Sequence, residues 1–299
     1  MKLTALIPVY NDDYALGFCL ASIIEHFDEI VVLDDASTDE TPEVALGFAR
    51  AHGHVRYVRH EGRQLGWIEA RNRLARFTEG EHLFWLDSDD VLCEYNVGLL
   101  RQIAEGPAPI VRLYLTEMWG DFYHTTQRLR HYDRCHMYMN RAALRDFAWT
   151  GSPAGRGEGG TAARCDVHRE VVAQNGPGPL FFHIKGVKPD RRLVQRRLMR
   201  RWLGDPARED NLEARIAEMG EEEVHRLALE VLLRSKQDHL VPTYLENAGV
   251  AQQLHKVGAS RPPTRAEVIE AALPGRFEIR YPTGGSPDRF DRRCPISSF

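Results

Sequence analysis

Cysteine is sparse and unpatterned in this chain of 299 residues. The five cysteines (Cys19, Cys93, Cys135, Cys165 and Cys294) are odd in number and form no Cys-x-x-Cys pair, which leaves no zinc or dithiol signature. Thiols in a reducing, cytoplasmic setting are the expectation. No apolar stretch approaches the ~20 residues of a membrane span, which argues against an integral membrane enzyme but not against peripheral attachment. Met1-Lys2 and the apolar run Leu3 to Val9 begin like a secretion signal, yet the run stops at Asn11-Asp12-Asp13 with no cleavage region, so it reads as a strand. Strong charge of one sign is also missing: a net charge of -4 does not describe a polycation built to coat nucleic acid or anionic lipid. No internal repeat supports a solenoid. What is present is 43% hydrophobic and 27% charged residues, the balance of a globular protein with a full core.

The first ninety residues alternate short β-type runs with helical patterns, the signature of a parallel sheet covered by helices. Leu3 to Val9, Glu29 to Leu33, His54 to Val58 and His82 to Leu86 read as strands. Between them, helices are expected over Tyr14 to Phe27, from a cap at Thr38 or Asp39 with Pro42 near its start, and over Gly66 to Phe77. Pro109 to Trp119 reads as one long strand and Phe122 to His131 as its hairpin partner. Thr150 to Gly160 has loop composition, and Leu180 to Ile184 is a short strand. Beyond Pro189 amphipathic helices are expected over Arg192–Leu203, Leu212–Met219, Glu221–Lys236 and Thr243–Lys256, followed by a loosely ordered tail from Pro274.

Acidic residues sit at the carboxyl ends of two expected strands, where open α/β sheets bind their ligands: Asp34-Asp35 and Asp87-Ser88-Asp89-Asp90. Residues two apart in a turn can point the same way, so Asp87 and Asp89 are a candidate pair for one Mg²⁺ or Mn²⁺ ion and the diphosphate it would hold. A solvated acidic turn capping the next helix is the plainer alternative.

Four segments then line up in order: Ile7-Pro8-Val9-Tyr10-Asn11, Val31 to Thr41, Ala70-Arg71-Asn72, and Trp85 to Asp90. Together they resemble the family 2 glycosyltransferases, closely over residues 1 to 100 and more thinly to about residue 190. The resemblance implies an α/β fold of the GT-A type, a nucleotide-binding mixed sheet flanked by helices, here with a C-terminal helical extension. The expected organisation is a catalytic domain over residues 1–203, with the donor side over 1–100 and the acceptor side over 101–203, followed, from helical spacing and composition alone, by an extension over 204–273 and a tail over 274–299. By the same resemblance Tyr10 stacks on the base with Pro8 beside it, Asp35 accepts a base N–H, Arg71 lies near the base, Asp87 reaches the ribose and Asp89 binds the metal. An aromatic face together with a carboxylate for an imide N–H suits uracil, so a UDP-sugar is the favoured donor among the UDP-, GDP- and dTDP-sugars the family uses. Tyr10 packed at a strand end and Arg71 as a surface helix cation are the plainer readings.

In the second half, His183 closes an apolar strand and is followed by Lys185, Lys188, Arg191 and Arg192. By resemblance, His183 completes the metal shell, while Lys185 and Lys188 steady the diphosphate; an ordinary structural histidine and a solvated helix face are the alternatives. Inverting transfer needs a base for the acceptor hydroxyl, with Asp166, Glu170 and Glu158 as candidates in that order. Arg169 interrupts the family's acidic pattern between His168 and Glu170, and a retaining enzyme needs no such base. Residues 191–203 alternate arginines with apolar side chains, which suits an anionic membrane or nucleic-acid phosphates, or else packing on the core with the arginines in water. The competing activities are a sugar-nucleotide nucleotidyltransferase, disfavoured because Tyr10-Asn11-Asp12-Asp13 replaces the glycine-rich basic loop, and an inactive nucleotide- or nucleic-acid-binding module. The acceptor and the transferred sugar are not legible in the sequence.

Overall fold

The computed structural model describes residues 1–62, 64–120, 122, 124–126, 137–146, 148–149, 171–173, 179–202, 212–234, 239–242 and 278–279. The chain runs β1 (Leu3–Val9), α1 (Asp13–Ile23), β2 (Glu29–Asp34), α2 (Thr41–Ala51), β3 (Val55–Arg59), α3 (Trp67–Leu74) and β4 (His82–Trp85). There follow β5 (Asp90–Leu92), α4 (Gly98–Glu105), β6 (Ile110–Arg112), β7 (Leu115–Trp119), β8 (His124–Thr126), β9 (Met137–Asn140), β10 (Val171–Ala173) and β11 (Phe181–Gly186). The remainder comprises α5 (Asp190–Trp202), α6 (Leu212–Glu218), α7 (Glu221–Arg234), β12 (His239–Pro242) and β13 (Glu278–Ile279).

Seven strands form one sheet in the order β10-β6-β9-β4-β1-β2-β3, with β4, β1, β2 and β3 parallel and β9 antiparallel between β4 and β6. Every residue of β1 is buried, which explains its unbroken apolar run: helices cover both faces. Leaving β1, the chain crosses to β2 on one side and later returns to β4 on the other. The crevice at the carboxyl ends of β1 and β4 is therefore a topological switch point, the place where such sheets take ligands. Pro8 is tolerated in this central strand because β4 pairs only as far as Leu6, so the side on which its amide would point has already run out of partners.

The expected strand over Pro109–Trp119 is two strands in different sheets. Leu113 and Tyr114 break it, and the Tyr114 carbonyl accepts the N–H of Leu180 at 2.9 Å, handing the chain over to a six-strand sheet ordered β13-β12-β8-β7-β11-β5. The expected hairpin survives as Met118 paired with Thr125. In the C-terminal region α5, α6 and α7 fall where the amphipathic spacing places them, and β12 adds a strand against β8. The expected helix over 243–256 lies outside the described residues. Leu193, Val194 and Leu198 of α5 pack with Trp119, Leu212, Ile216 and Ala228, so these apolar side chains of the basic helix are internal.

The pairing of β11 with β7 carries an irregularity between His183 and Gly186, where Gly186 stands opposite Trp119. A Cβ at Gly186 would meet the Met118 carbonyl oxygen at 2.7 Å, a backbone atom that cannot swing aside. Gly186→Ala is thus expected to cost ~1–3 kcal/mol in a denaturant titration, the usual range for overpacking.

Candidate functional site

Two loops floor the crevice, and each is bent by a residue with positive φ. Asn11 follows β1 at φ 47° and Ala36 follows β2 at φ 63°. Asparagine tolerates this region, whereas alanine there costs about 1–2 kcal/mol, a strain that persists only where neighbours fix it. The fixing bonds are present. Asn11 N–H donates to Ser37 Oγ at 2.9 Å, Thr38 N–H to Asn11 Oδ1 at 2.8 Å, Asp12 N–H to Thr41 Oγ1 at 2.9 Å and Asp35 N–H to the Val9 carbonyl at 2.9 Å.

The adjacent acids of Asp34-Asp35 have different employment. Asp34 is wholly buried and structural, accepting from Ser37 N–H at 2.8 Å and from the Tyr57 hydroxyl at 2.7 Å. Burial first, and then the Asp34 carboxylate, push the Tyr57 hydroxyl above its ordinary pKa, which keeps it a neutral donor. Asp35 takes the N–H groups of Leu65 (2.7 Å, Oδ1) and Gly66 (2.8 Å, Oδ2), and so holds the entry to α3. Gly66 sits at φ 80°, a conformation suited to glycine at that entry.

Arg71, on α3, is 1% exposed rather than a surface cation. Its guanidinium pairs with Asp87 Oδ1 and lies 4.9 Å from the Trp149 ring centroid and 5.7 Å from that of Trp67. Asn72 secures Trp149 in turn through its side-chain amide: Nδ2 donates to the Trp149 carbonyl at 3.0 Å and Oδ1 accepts the Trp149 N–H at 2.8 Å.

The acidic turn after β4 curls on itself, with Asp87 N–H donating to Asp90 Oδ2 at 2.7 Å. That curl turns Asp87 toward Arg71 and sends Asp89 and Asp90 together to the other side. There they meet His183, which the ladder delivers: β11 pairs antiparallel with β5 so that His183 stands opposite Asp90, and Ile184 N–H donates to the Asp89 carbonyl at 2.8 Å. His183 Nδ1 lies 3.0 Å from Asp90 Oδ1 and 3.4 Å from Asp89 Oδ1. Asp89, Asp90 and His183 each offer one ligand atom within 4.8 Å of the others. The second oxygens are engaged elsewhere, Asp90 Oδ2 on the Asp87 amide and Asp89 Oδ2 on Lys188 Nζ at 3.0 Å. Two hard oxygens and one imidazole nitrogen therefore converge, a set that fits a divalent ion such as Mn²⁺.

Asp12, Ser88, Asp90, Lys188 and Arg192 complete the surroundings: Ser88 and Asp90 belong to the expected acidic turn, Lys188 and Arg192 to the expected basic cluster, and Asp12 lies beyond the site residues expected from sequence. Asp12 accepts from Ser88 Oγ at 2.6 Å and from Lys188 Nζ at 2.7 Å, joining three segments that are far apart in the chain. Burial pushes the Asp12 carboxyl above its usual range, against the downward pull of Lys188. Arg192 bridges Asp13 (2.6 Å) and Asp39 (3.1 Å), anchoring α5 to both loops. Cys19 lies beneath the turn, its thiol donating to the Asp87 carbonyl at 3.6 Å. Burial, followed by the charges of Asp90, Asp89 and Asp12, raises its pKa well above the ordinary value and keeps it a thiol. Pro8 and Tyr10 stand at the mouth of the crevice, Pro8 buried and Tyr10 half-buried. Asp166, Glu170, Glu158 and the side chain of Lys185 lie outside the described residues.

Residues 4–172, more than half of the chain, match the family described as Glycosyl transferase family 2. The chain belongs to this family. Family membership and the mixed sheet with its ligand crevice agree on a GT-A type α/β fold. Among similar proteins, the SPbeta prophage-derived glycosyltransferase SunS of Bacillus subtilis (strain 168) is 27% identical over 133 residues, covering 42% of this chain and 30% of SunS. Glycosyltransferase GlyA of Streptococcus pneumoniae serotype 4 is 34% identical over 113 residues, covering 36% of this chain and 16% of GlyA. Both matches thus span less than a third of the relative's length. Two solved structures are also similar. S. aureus TarS 1-349 in complex with UDP-GlcNAc has a TM-score of 0.48 at 15% identity, covering 78% of this chain and 80% of that one. The mannosyltransferase PcManGT from Pyrobaculum calidifontis, in complex with GDP-Man and Mn²⁺, has a TM-score of 0.45 at 17% identity, covering 91% and 79%. No helix among the described residues is long and apolar enough to cross a membrane.

Proposed function

We propose that the chain transfers a sugar, with inversion, from a nucleoside-diphosphate sugar, UDP-linked by preference, to an acceptor hydroxyl, and that it does so with a divalent metal. The observation that carries this reading is the convergence of Asp89, Asp90 and His183 at the switch-point crevice of a family 2 sheet. A divalent ion held there supplies positive charge against the departing diphosphate.

The protein's own groups set the geometry. Tyr10 and Pro8 offer a face for the base. Asp35 spends two of its roughly four acceptor sites on the α3 entry, leaving capacity for a base N–H. Arg71 holds Asp87 in orientation for the ribose. Lys188 places a buried ammonium between Asp12 and Asp89, within the crevice that receives the diphosphate. In this reading Asp89 and His183 serve the metal and the third ligand is Asp90, while Asp87 turns to Arg71. The base that takes the acceptor proton is drawn from Asp166, Glu170 and Glu158.

A panel of UDP-, GDP- and dTDP-sugars tests the proposal by thermal melting with and without Mn²⁺. A ligand at about 100 times its Kd stabilises the native state by ~2.7 kcal/mol, which for a chain of this size raises Tm by roughly 4–5 °C. The expected result is that a UDP-sugar with Mn²⁺ does so, that chelation cancels the shift, and that UDP is slowly released by hydrolysis. A panel in which no nucleotide sugar shifts Tm, with or without metal, overturns the reading.

A further inference from the structure

Trp67 is 43% exposed, one of two large apolar side chains that stand open among the described residues, the other being Met1. A scattered surface tryptophan would call for no explanation, but this one is held in place from behind. It begins α3 directly after Gly66, whose amide is fixed by Asp35 Oδ2, with the Leu65 amide on Oδ1. One turn on, the Arg71 guanidinium lies 5.7 Å from its ring centroid, close enough for attraction between the cation and the ring. That guanidinium is itself paired with Asp87 and backed by Trp149. The indole thus follows the turn that Asp35 holds and lies near the Arg71 guanidinium, with a large part of its surface still in water.

We propose that Trp67 is a stacking surface for the nucleobase of the donor, a binding residue of the nucleoside pocket beside Tyr10. This inference rests on the nucleotide-sugar reading above. A preplaced indole loses little conformational freedom on binding, and every base offers a π-face to it. Stacking a base on an aromatic side chain is typically worth about 5- to 100-fold in affinity. Such a contact strengthens nucleoside binding and leaves the grip on the phosphates unchanged, and the two can be measured separately.

Calorimetric titration with UDP, GDP, dTDP and inorganic pyrophosphate in Mn²⁺ tests this, alongside intrinsic tryptophan fluorescence. Trp67→Ala is expected to weaken the tightest-binding nucleoside diphosphate by about 5- to 100-fold, to leave pyrophosphate affinity unchanged and to abolish the fluorescence quench that the nucleotide produces. Trp67→Phe keeps a π-face and should recover most of the affinity, which distinguishes stacking from a damaged fold. Unchanged nucleotide affinity in Trp67→Ala overturns the inference. So does an equal loss for nucleotide and pyrophosphate, which would indicate an effect transmitted through Arg71. If the unsubstituted protein binds pyrophosphate but no nucleoside diphosphate, the donor reading fails and the inference fails with it. If it binds nucleotides normally and Trp67→Ala does too, only the inference falls.

Discussion

Asp89→Asn is expected to lower sugar transfer by about 10³-fold, the loss typical when one preorganised charge is withdrawn from the site where the transition state develops its own. Mn²⁺ affinity, measured by calorimetry without donor, should fall with it, because one of the three converging ligand atoms loses its charge. The fold should persist. Asp89 is only 2% exposed, so the substitution is not at a solvated turn, yet Lys188 keeps Asp12 as a partner at 2.7 Å and His183 keeps Asp90 at 3.0 Å. An asparagine of the same shape also keeps one oxygen acceptor. A Tm change of about 2 °C corresponds to about 1 kcal/mol in a chain of this size. Full activity and unchanged metal affinity in this variant would remove the metal from the mechanism. A collapse of the fold would instead assign Asp89 to the support of Lys188. Asp90→Asn separates those roles further, since Asp90 Oδ2 also accepts the Asp87 amide and its loss should loosen the turn itself.

Much of this crevice was legible in the sequence because the signals that build it are local. β1, β2 and β4 are short apolar runs whose ends are marked by acids, and the alternation with helices makes them parallel, which fixes the crevice at Asp35 and the Asp87–Asp90 turn. His183 was singled out by the family resemblance, and the apolar strand that carries it runs on past it to Gly186. The division of labour among the acids was not. Reasoning that residues two apart face together pairs Asp87 with Asp89, but the bond from the Asp87 amide to Asp90 Oδ2 curls the turn and pairs Asp89 with Asp90. Asp90 also opens β5, a strand of three residues, too short for any periodicity to announce. Asp12 and Lys188 are 176 positions apart, and their contact follows from how α5 docks, which depends on Arg192 reaching both Asp13 and Asp39. The break at Leu113-Tyr114 was hidden for a similar reason: both flanking runs are apolar, and only their destinations in two different sheets distinguish them.

Arg71→Ala carries the largest expected effect on stability. The guanidinium is buried, paired with Asp87 and packed over Trp149, so truncation leaves a carboxylate facing a cavity where its cation had been. Removing one partner of a buried pair typically costs about 3–5 kcal/mol, which for a chain of this size lowers Tm by roughly 5–8 °C. Asp87 is 14% exposed, so water relieves part of its charge and the lower end of that range applies. Arg71→Lys should recover only part of the loss, because an ammonium lacks both the planar fork and the flat face that meets the indole. A double-variant cycle isolates the pair. Arg71→Met combined with Asp87→Asn removes both charges, and it should be more stable than Arg71→Met on its own, since the neutral amide no longer demands a counter-ion. If instead the double variant is the less stable of the two, the Asp87 charge is being held by other donors in the turn, and Arg71 supports the nucleoside pocket through its packing against Trp149.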